Sequence, residues 1–109
     1  MKTKFHVLVA GKPHAVGVTV HPKMPKWERC TGEHIAVIPD AGVRWYECVK
    51  DAAAVIVENG GSMSHLAVVG IEEQFLVLRE EDARKKYPPN TLLAIDVRKK
   101  RVEVIASND

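Results

Sequence analysis

Short apolar runs bounded by glycine, proline and charged residues divide the chain into alternating strands and helices. Runs rich in β-branched residues predict five strands, at residues 5–9, 15–20, 35–38, 53–57 and 75–78. Two further apolar runs, 92–97 and 102–105, flank the turn Arg98-Lys99-Lys100-Arg101 and predict a closing hairpin. The chain is therefore expected to build a sheet.

Helical periodicity appears between these strands. Val43, Tyr46, Val49 and Ala53 recur at helical spacing and predict a helix over about residues 43–51. Residues 66–73 are long enough for two helical turns, and residues 80–86 form a short charged helix before Pro88-Pro89-Asn90. The order ββ, β, α, β, α, β, α, ββ predicts a mixed α/β fold in which helices cover a sheet.

Length and composition describe one soluble domain, residues 1–109, with 46% hydrophobic and 28% charged residues. The longest apolar run, residues 52–57, is too short to cross a bilayer, and no apolar stretch of a signal peptide follows the basic N-terminus. We therefore expect a cytoplasmic protein that does not enter a membrane. A domain this short has no room for a nucleotide-binding domain as well, so complex chemistry would be shared with other chains.

The net charge and the cysteine content limit which ligands and partners are expected. The net charge of +2 gives no argument for nucleic acid, and the basic residues around Trp27 are expected to lie on solvated loops. Cys30 and Cys48 lack Cys-x-x-Cys spacing, so reduced thiols are the preferred interpretation and one disulfide the alternative. Cys30 and His34 are four residues apart, but no second ligand pair follows, so no metal site is expected.

The residues with chemical potential lie between a buried strand and an apolar helix. Gly60 and Gly61 permit positive φ and close approach of a ligand, while Ser62 and Ser64 add hydroxyl donors. His65 follows in the first helical turn, where free amides and the helix dipole suit an anion and favour a neutral imidazole. A neutral imidazole is a competent nucleophile toward phosphorus. A histidine here could equally cap the helix or hydrogen-bond the loop. These local features leave both a catalytic and a structural role for His65 open.

Residues 60–69, Gly-Gly-Ser-Met-Ser-His-Leu-Ala-Val-Val, resemble the phosphohistidine signature of the mobile, swivelling domain of phosphoenolpyruvate-utilising enzymes. That family includes pyruvate phosphate dikinase, phosphoenolpyruvate synthase, Enzyme I of the sugar phosphotransferase system and rifampin phosphotransferase. The similarity extends over about residues 5–106. It includes Gly17 in an early strand pair, the strand beginning at Gly32-Glu33-His34, the strand 53–58 and the closing hairpin.

The resemblance implies a compact β/β/α swivelling domain whose histidine carries a phosphoryl group between two active sites. By position, His65 would be phosphorylated. The amides around Gly60 and Gly61, with the hydroxyls of Ser62 and Ser64, would hold the phosphoryl oxygens.

The same resemblance implies partners. Glu58, just before the glycines, would either orient His65 as a hydrogen-bond acceptor or stay solvated. No cofactor is expected on this chain. ATP or phosphoenolpyruvate with magnesium would bind a separate nucleotide-binding or phosphoenolpyruvate/pyruvate-binding subunit. The first hypothesis is therefore a stand-alone phosphocarrier, a phosphotransferase component that is not a complete enzyme alone.

Several positions depart from the family pattern. Ile71 stands where the family has an arginine, and Gln74-Phe75-Leu76 replaces its Gly-Ile-Pro turn. Asn90 and Lys100 stand where glycines are common, although asparagine also adopts positive φ. These departures motivate a second hypothesis, a catalytically degenerate module that binds a partner or an anion. A third is a swivel domain that closes over another enzyme's active site, as in aconitase-like proteins; the intact Gly-Gly-x-x-Ser-His motif argues against it.

Overall fold

A computed structural model describes residues 5–107 of the chain as one mixed sheet with three short helices. The basic N-terminal residues 1–4, part of the argument against a signal peptide, lie outside the described residues. The strands are β1 (His6–Ala10), β2 (His14–Val20), β3 (His34–Ile38), β4 (Ala54–Val57), β5 (Leu76–Arg79), β6 (Thr91–Asp96) and β7 (Arg101–Ser107). The helices are α1 (Tyr46–Val49), preceded by a 3₁₀ turn at Val43–Trp45, α2 (His65–Glu73) and α3 (Ala83–Lys86). The mixed α/β prediction and its order of elements are confirmed.

The seven strands form one sheet in the order β1-β5-β4-β3-β2-β6-β7, curled into a half-barrel. Strands β2, β3, β4 and β5 run parallel to one another, while β1 pairs antiparallel with β5, β6 with β2, and β7 with β6. Parallel neighbours need crossover connections, which α1 and α2 supply between β3, β4 and β5. The predicted hairpin is the β6–β7 pair. Strands β1 and β2, which the resemblance described as an early pair, do not hydrogen-bond to each other, because β5, β4 and β3 lie between them.

The central strands β3, β4 and β5 are buried on both faces because each face of the sheet is covered there. One face packs beneath α1 and α2, and the other packs against α3 and the β6–β7 hairpin. Successive residues of each central strand alternate between these two cores, as the period of a strand requires. Thus β3 directs Ala36 and Ile38 into the first core and Ile35 and Val37 into the second. A strand buried on both faces consists of consecutive apolar residues, and the sequence shows such runs.

Two helices are shorter than predicted. The helix expected over 43–51 is a 3₁₀ turn followed by a single α turn that ends at Val49. The Cys48 carbonyl accepts instead from the amide of Cys30, at 2.8 Å, so Ala52 bonds back to Val49. The helix expected over 80–86 begins only at Ala83 because Asp82 has a left-handed backbone, with φ of 59°.

The turn after α2 forms without the Gly-Ile-Pro sequence that the family has at this position. Gln74 ends α2 in the left-handed conformation, with φ of 58°, and Phe75 bonds back to Gly70. Gly11 passes so close to this turn that a Cβ there would lie 2.2 Å from the Gln74 carbonyl carbon. Elsewhere, Asn90 and Lys100 have positive φ, 65° and 51°, at the positions where glycines are common.

The two cysteines are free thiols in the core beneath α1. Burial raises the pKa of the Cys30 thiol to about 12, and burial likewise raises the pKa of Cys48. Among residues 5–107, no helix is long and apolar enough to cross a membrane. In the same residues, no group of three or more histidine, cysteine or acidic side chains could hold a metal ion.

We predict that neither thiol reacts with iodoacetamide in the folded protein at pH 8, and that both react in guanidinium chloride. The sulfur atoms are buried, and the raised pKa values keep both thiols protonated. Only the thiolate form reacts with iodoacetamide. Because the pKa of Cys30 rises from 9.0 to about 12 on folding, stability is retained below pH 9 and falls as the pH rises toward 12. Mass spectrometry of the alkylated chain and unfolding curves across this pH range measure both effects. Rapid alkylation of the native protein would contradict this burial.

Candidate functional site

The carboxyl ends of the parallel strands bring three loops together at one edge of the sheet. Asp40 follows β3, Glu58 follows β4, and Arg79 is the last residue of β5. The final residues of the three strands are in register, since Ile38 pairs with Val57 and Val57 with Arg79. Open α/β sheets bind ligands at such an edge. The Gly-Gly segment emerges there from β4.

The segment between β4 and α2 is shaped by one of its two glycines. Gly60 has φ of +131°, a conformation that L side chains rarely adopt. A Cβ on Gly61 would meet nothing within 4 Å, and Gly61 does not have positive φ. Positive φ was expected to be available at both positions, and the structure uses it at Gly60 alone. Arg79 fixes this turn by donating from Nη1 to the Gly60 carbonyl, at 3.1 Å.

The start of α2 forms a turn that leaves backbone amides exposed to a ligand. The Ser64 amide and Oγ both donate to the Gly61 carbonyl, at 3.0 and 2.6 Å. Ser64 is the N-cap residue, but its side chain makes no capping bond to the helix. Within the described residues, the amides of Gly61, Ser62 and His65 have no acceptor. These amides, at the positive end of a helix, form a surface suited to a phosphate or carboxylate.

His65 is the first residue of α2 and its side chain is exposed. The next residue, Leu66, is fully buried in the core, and its amide donates to the Ala41 carbonyl at 3.1 Å. Asp40 stabilises the turn at Ala41, because its Oδ1 accepts from the Gly42 amide at 2.9 Å. The loop after β3 therefore holds the first turn of α2 in place. The buried Leu66 orients the preceding side chain, His65, toward solvent.

An aromatic residue from α1 packs beside the histidine. The ring of Tyr46 meets the His65 imidazole edge to face, with centroids 6.4 Å apart, and lies 6.2 Å from the ring of Phe75. The Tyr46 hydroxyl donates to Glu73 Oε1 at 2.6 Å, at the far end of α2. This hydrogen bond to a carboxylate raises the pKa of Tyr46 to about 12, so the phenol stays protonated. Tyr46 thus forms a fixed wall on one side of His65.

Glu58, the candidate orienter of His65, contacts a different residue. Its Oε1 accepts from Arg84 Nε at 2.8 Å, and its Oε2 accepts from the Arg84 amide at 3.0 Å. The side chain of Glu58 is only 13% exposed, so this pair joins the site loop firmly to α3. The hydrogen bonds of the described residues include none between Glu58 and His65, and the orienting role stays a prediction.

Large apolar side chains are exposed on both sides of His65 along the chain. Met63, Val68 and Ile71 are 86%, 47% and 70% exposed, and they flank the histidine along the loop and the outer side of α2. Ile71 occupies the position of the family's arginine. Ser62, predicted to contact the phosphoryl group, lies exposed on this loop beside Met63.

Sequence reasoning missed three residues that shape the site: Arg79, Arg84 and Tyr46. A signal for Arg79 was available, because the last residue of a parallel strand faces the edge where the Gly-Gly segment emerges. Arg84 and Tyr46 reach the site only through the packing of α3 and α1, which the local pattern does not encode.

Comparison with known proteins agrees with this arrangement. The sequence model of the family described as PEP-utilising enzyme, mobile domain, matches residues 31–99, which include β3 to β6 and the whole Gly-Gly-to-α2 segment. The chain therefore belongs to this family of mobile domains.

The fold is also similar to that of a chain of aconitase X from Thermococcus kodakaraensis, solved in its holo form. The TM-score is 0.65 and the sequence identity is 16%, over 97% of this chain and 99% of that chain. At this identity the likeness extends to the fold alone. No curated protein matches this chain.

We predict that Gly60→Ala distorts the site loop whereas Gly61→Ala does not. An alanine at φ of +131° is strained and should cost about 1–3 kcal/mol of stability, while Gly61→Ala should change it by less than about 0.5 kcal/mol. Thermal or urea unfolding of the two variants measures the difference. Equal stability of the two variants would contradict this loop conformation.

Proposed function

We propose that the protein is a phosphocarrier whose His65 accepts a phosphoryl group from one partner and delivers it to another. The observation that carries this proposal is an exposed histidine at the start of α2, in a mobile domain of phosphoenolpyruvate-utilising enzymes. It lies beside amides that have no acceptor among residues 5–107. A nucleophile and an anion-binding backbone lie within one short segment, an arrangement suited to phosphoryl transfer.

In the proposed step, a ring nitrogen of His65 attacks the phosphorus of the donor. The nitrogen–phosphorus bond forms as the bond from phosphorus to the donor's leaving oxygen breaks, and the other ring nitrogen releases its proton. The amides of Gly61 and Ser62 are suited to hold the phosphoryl oxygens, and the hydroxyls of Ser62 and Ser64 would add to them. Since Ser64 Oγ already donates to Gly61, it would have to exchange that bond to help.

The donor and acceptor are proposed to be separate partners. ATP or phosphoenolpyruvate with magnesium would bind to a nucleotide-binding or phosphoenolpyruvate/pyruvate-binding subunit, and this chain would bind no cofactor of its own. The apolar residues around His65 favour a partner surface that is itself apolar at the rim of its active site. We place the protein in the cytoplasm, because both cysteines are free thiols.

A second candidate is a degenerate module that binds a partner without transferring phosphate. The observation that favours it is Ile71, an apolar side chain 70% exposed where the family has an arginine. In this case the apolar surface would serve docking and the histidine would be dispensable.

Incubating the chain with a donor enzyme of the family and ATP or phosphoenolpyruvate should add one phosphoryl mass. The adduct should be labile in acid and stable in alkali, because a phosphorus–nitrogen bond hydrolyses when the nitrogen is protonated. Intact mass spectrometry before and after acid treatment reads out both properties.

The matched controls are His65→Ala and His14→Ala, since both histidines are exposed. His14→Ala should accept the phosphoryl group as the wild type does, and His65→Ala should accept none. Transfer to His65→Ala would overturn the assignment. Partner binding that survives His65→Ala, with no phosphorylation of the wild type, would establish the second candidate instead.

A further inference from the structure

A cleft of about 440 Å³ lies at the same edge of the sheet as the candidate site, but His65 does not line it. Lys23 comes from the loop between β2 and β3, Arg44 and Trp45 from the 3₁₀ turn, and Arg84 from α3. Three prolines, Pro22, Pro25 and Pro39, complete the lining. A volume of this size is typical of sites for small molecules. The proposed phosphocarrier function gives this cleft no role.

Trp45 contributes a buried hydrogen-bond donor that lacks an acceptor. Its side chain is 3% exposed, and among residues 5–107 its indole Nε1–H has no hydrogen-bond partner. Buried tryptophan N–H groups usually find an acceptor, because leaving such a donor unpaired is unfavourable. The Arg44 guanidinium lies over the ring at 5.3 Å, which helps to hold the indole in this orientation. The indole thus forms a fixed wall of the cleft, and its N–H, inaccessible to solvent, is a reporter of binding beside it.

The three cations around the cleft retain unused donors. Arg44 contacts Asp40 through Nη2 at 2.6 Å, and Arg84 contacts Glu58 through Nε and its backbone amide. A guanidinium group has several further N–H donors in a planar fork, and these remain available for a second anion. The Lys23 ammonium makes no hydrogen bond or ion pair within the described residues.

The charge balance favours an anion. The lining contains three cations, Lys23, Arg44 and Arg84, and no carboxylate. Asp40 and Glu58 pair with the two arginines, and Glu28 accepts from the backbone amide of Lys23. Arginine forks and a lysine ammonium directed from separate loops match an oxyanion with several oxygens better than a single carboxylate. The proline rings and the indole supply apolar surface for an organic group attached to that oxyanion.

We propose that this cleft binds the phosphate group of a small phosphorylated molecule. Lys23, Arg44 and Arg84 hold the phosphate oxygens beside the indole of Trp45. The organic part of the molecule packs on the prolines. Inorganic phosphate and phosphate monoesters both carry this group. Only a monoester also has an organic part that can contact the apolar wall of the cleft.

The test is a titration followed by the indole N–H resonance of Trp45 in the ¹⁵N-labelled chain. The chain has two tryptophans, so Trp27→Phe, a change of a residue 75% exposed, leaves Trp45 as the sole indole signal. Inorganic phosphate and phenyl phosphate are added at constant ionic strength, with sodium chloride as the reference. Both anions should shift the Trp45 resonance in a saturable way because the indole lines the cleft, and phenyl phosphate should bind more tightly because it also covers the apolar wall.

Two variants matched in charge separate a built site from general attraction of anions. Lys23→Gln should weaken binding about tenfold, the loss expected for one charge-assisted hydrogen bond. Lys26→Gln removes an exposed cation that does not line the cleft and should leave the affinity unchanged. A resonance that does not respond to either anion, or an equal loss in the two variants, would overturn the proposal.

The same titration in His65→Ala distinguishes this site from the proposed phosphoryl acceptor. Binding should be unchanged, because His65 does not line the cleft. If phosphate shifted Trp45 only when His65 was present, the cleft would not be a separate site and the proposal would fail, whereas the phosphocarrier proposal would stand.

Discussion

The parallel pairing of β3, β4 and β5 is the constraint on which the rest of the structure depends. The four core-facing residues of β4, from Ala54 to Val57, are each 2% exposed or less, and they alternate between two cores. A slip of one residue would exchange those two sets of side chains, so the register is fixed by packing on both faces. The ends of the three strands are consequently aligned, and the loops that follow them must meet at one edge. Both the candidate site and the cleft lie at that edge because of this alignment.

The second requirement is a helix that begins where the chain leaves the sheet. One side of α2 is buried through Leu66, Ala67 and Gly70, and Gly70 admits Phe75, whose Cβ lies 3.1 Å from where a Cβ on Gly70 would be. The opposite side, with Val68 and Ile71, remains exposed. His65 precedes the buried Leu66, so it is exposed at the end of the helix where, within the described part of the chain, the amides of Gly61, Ser62 and His65 have no acceptor. The position of the histidine thus follows from the packing of the residues after it.

The sequence allowed the elements and the site segment to be predicted because both depend on local patterns. Apolar runs such as residues 53–57 identified the central strands, and the motif placed His65 in the first turn of a helix, as observed. In the turn of the closing hairpin, Asp96 Oδ1 accepts from the Lys99 amide at 3.1 Å. Asn90 was expected to adopt positive φ.

The features that the sequence did not predict depend on contacts between segments distant in sequence or on single backbone conformations. The third helix lost its first turn to the left-handed Asp82, and the first helix ended early because the Cys48 carbonyl bonds to Cys30. The pairing of Glu58 with Arg84 joins residues 26 apart. The Tyr46–Glu73 bond joins residues 27 apart, and no periodicity or motif encodes either contact.

The central claim, that the loop and helix start make His65 a phosphoryl acceptor, can be tested without knowing a partner. Phosphoramidate transfers its phosphoryl group to histidine side chains directly, and peptide mass spectrometry in alkali can follow each histidine over time. His6 and His14 are also exposed and serve as internal references. We predict that His65 is phosphorylated about tenfold faster than either, because nearby amides stabilise the developing charge. Equal or slower phosphorylation of His65 would contradict the account.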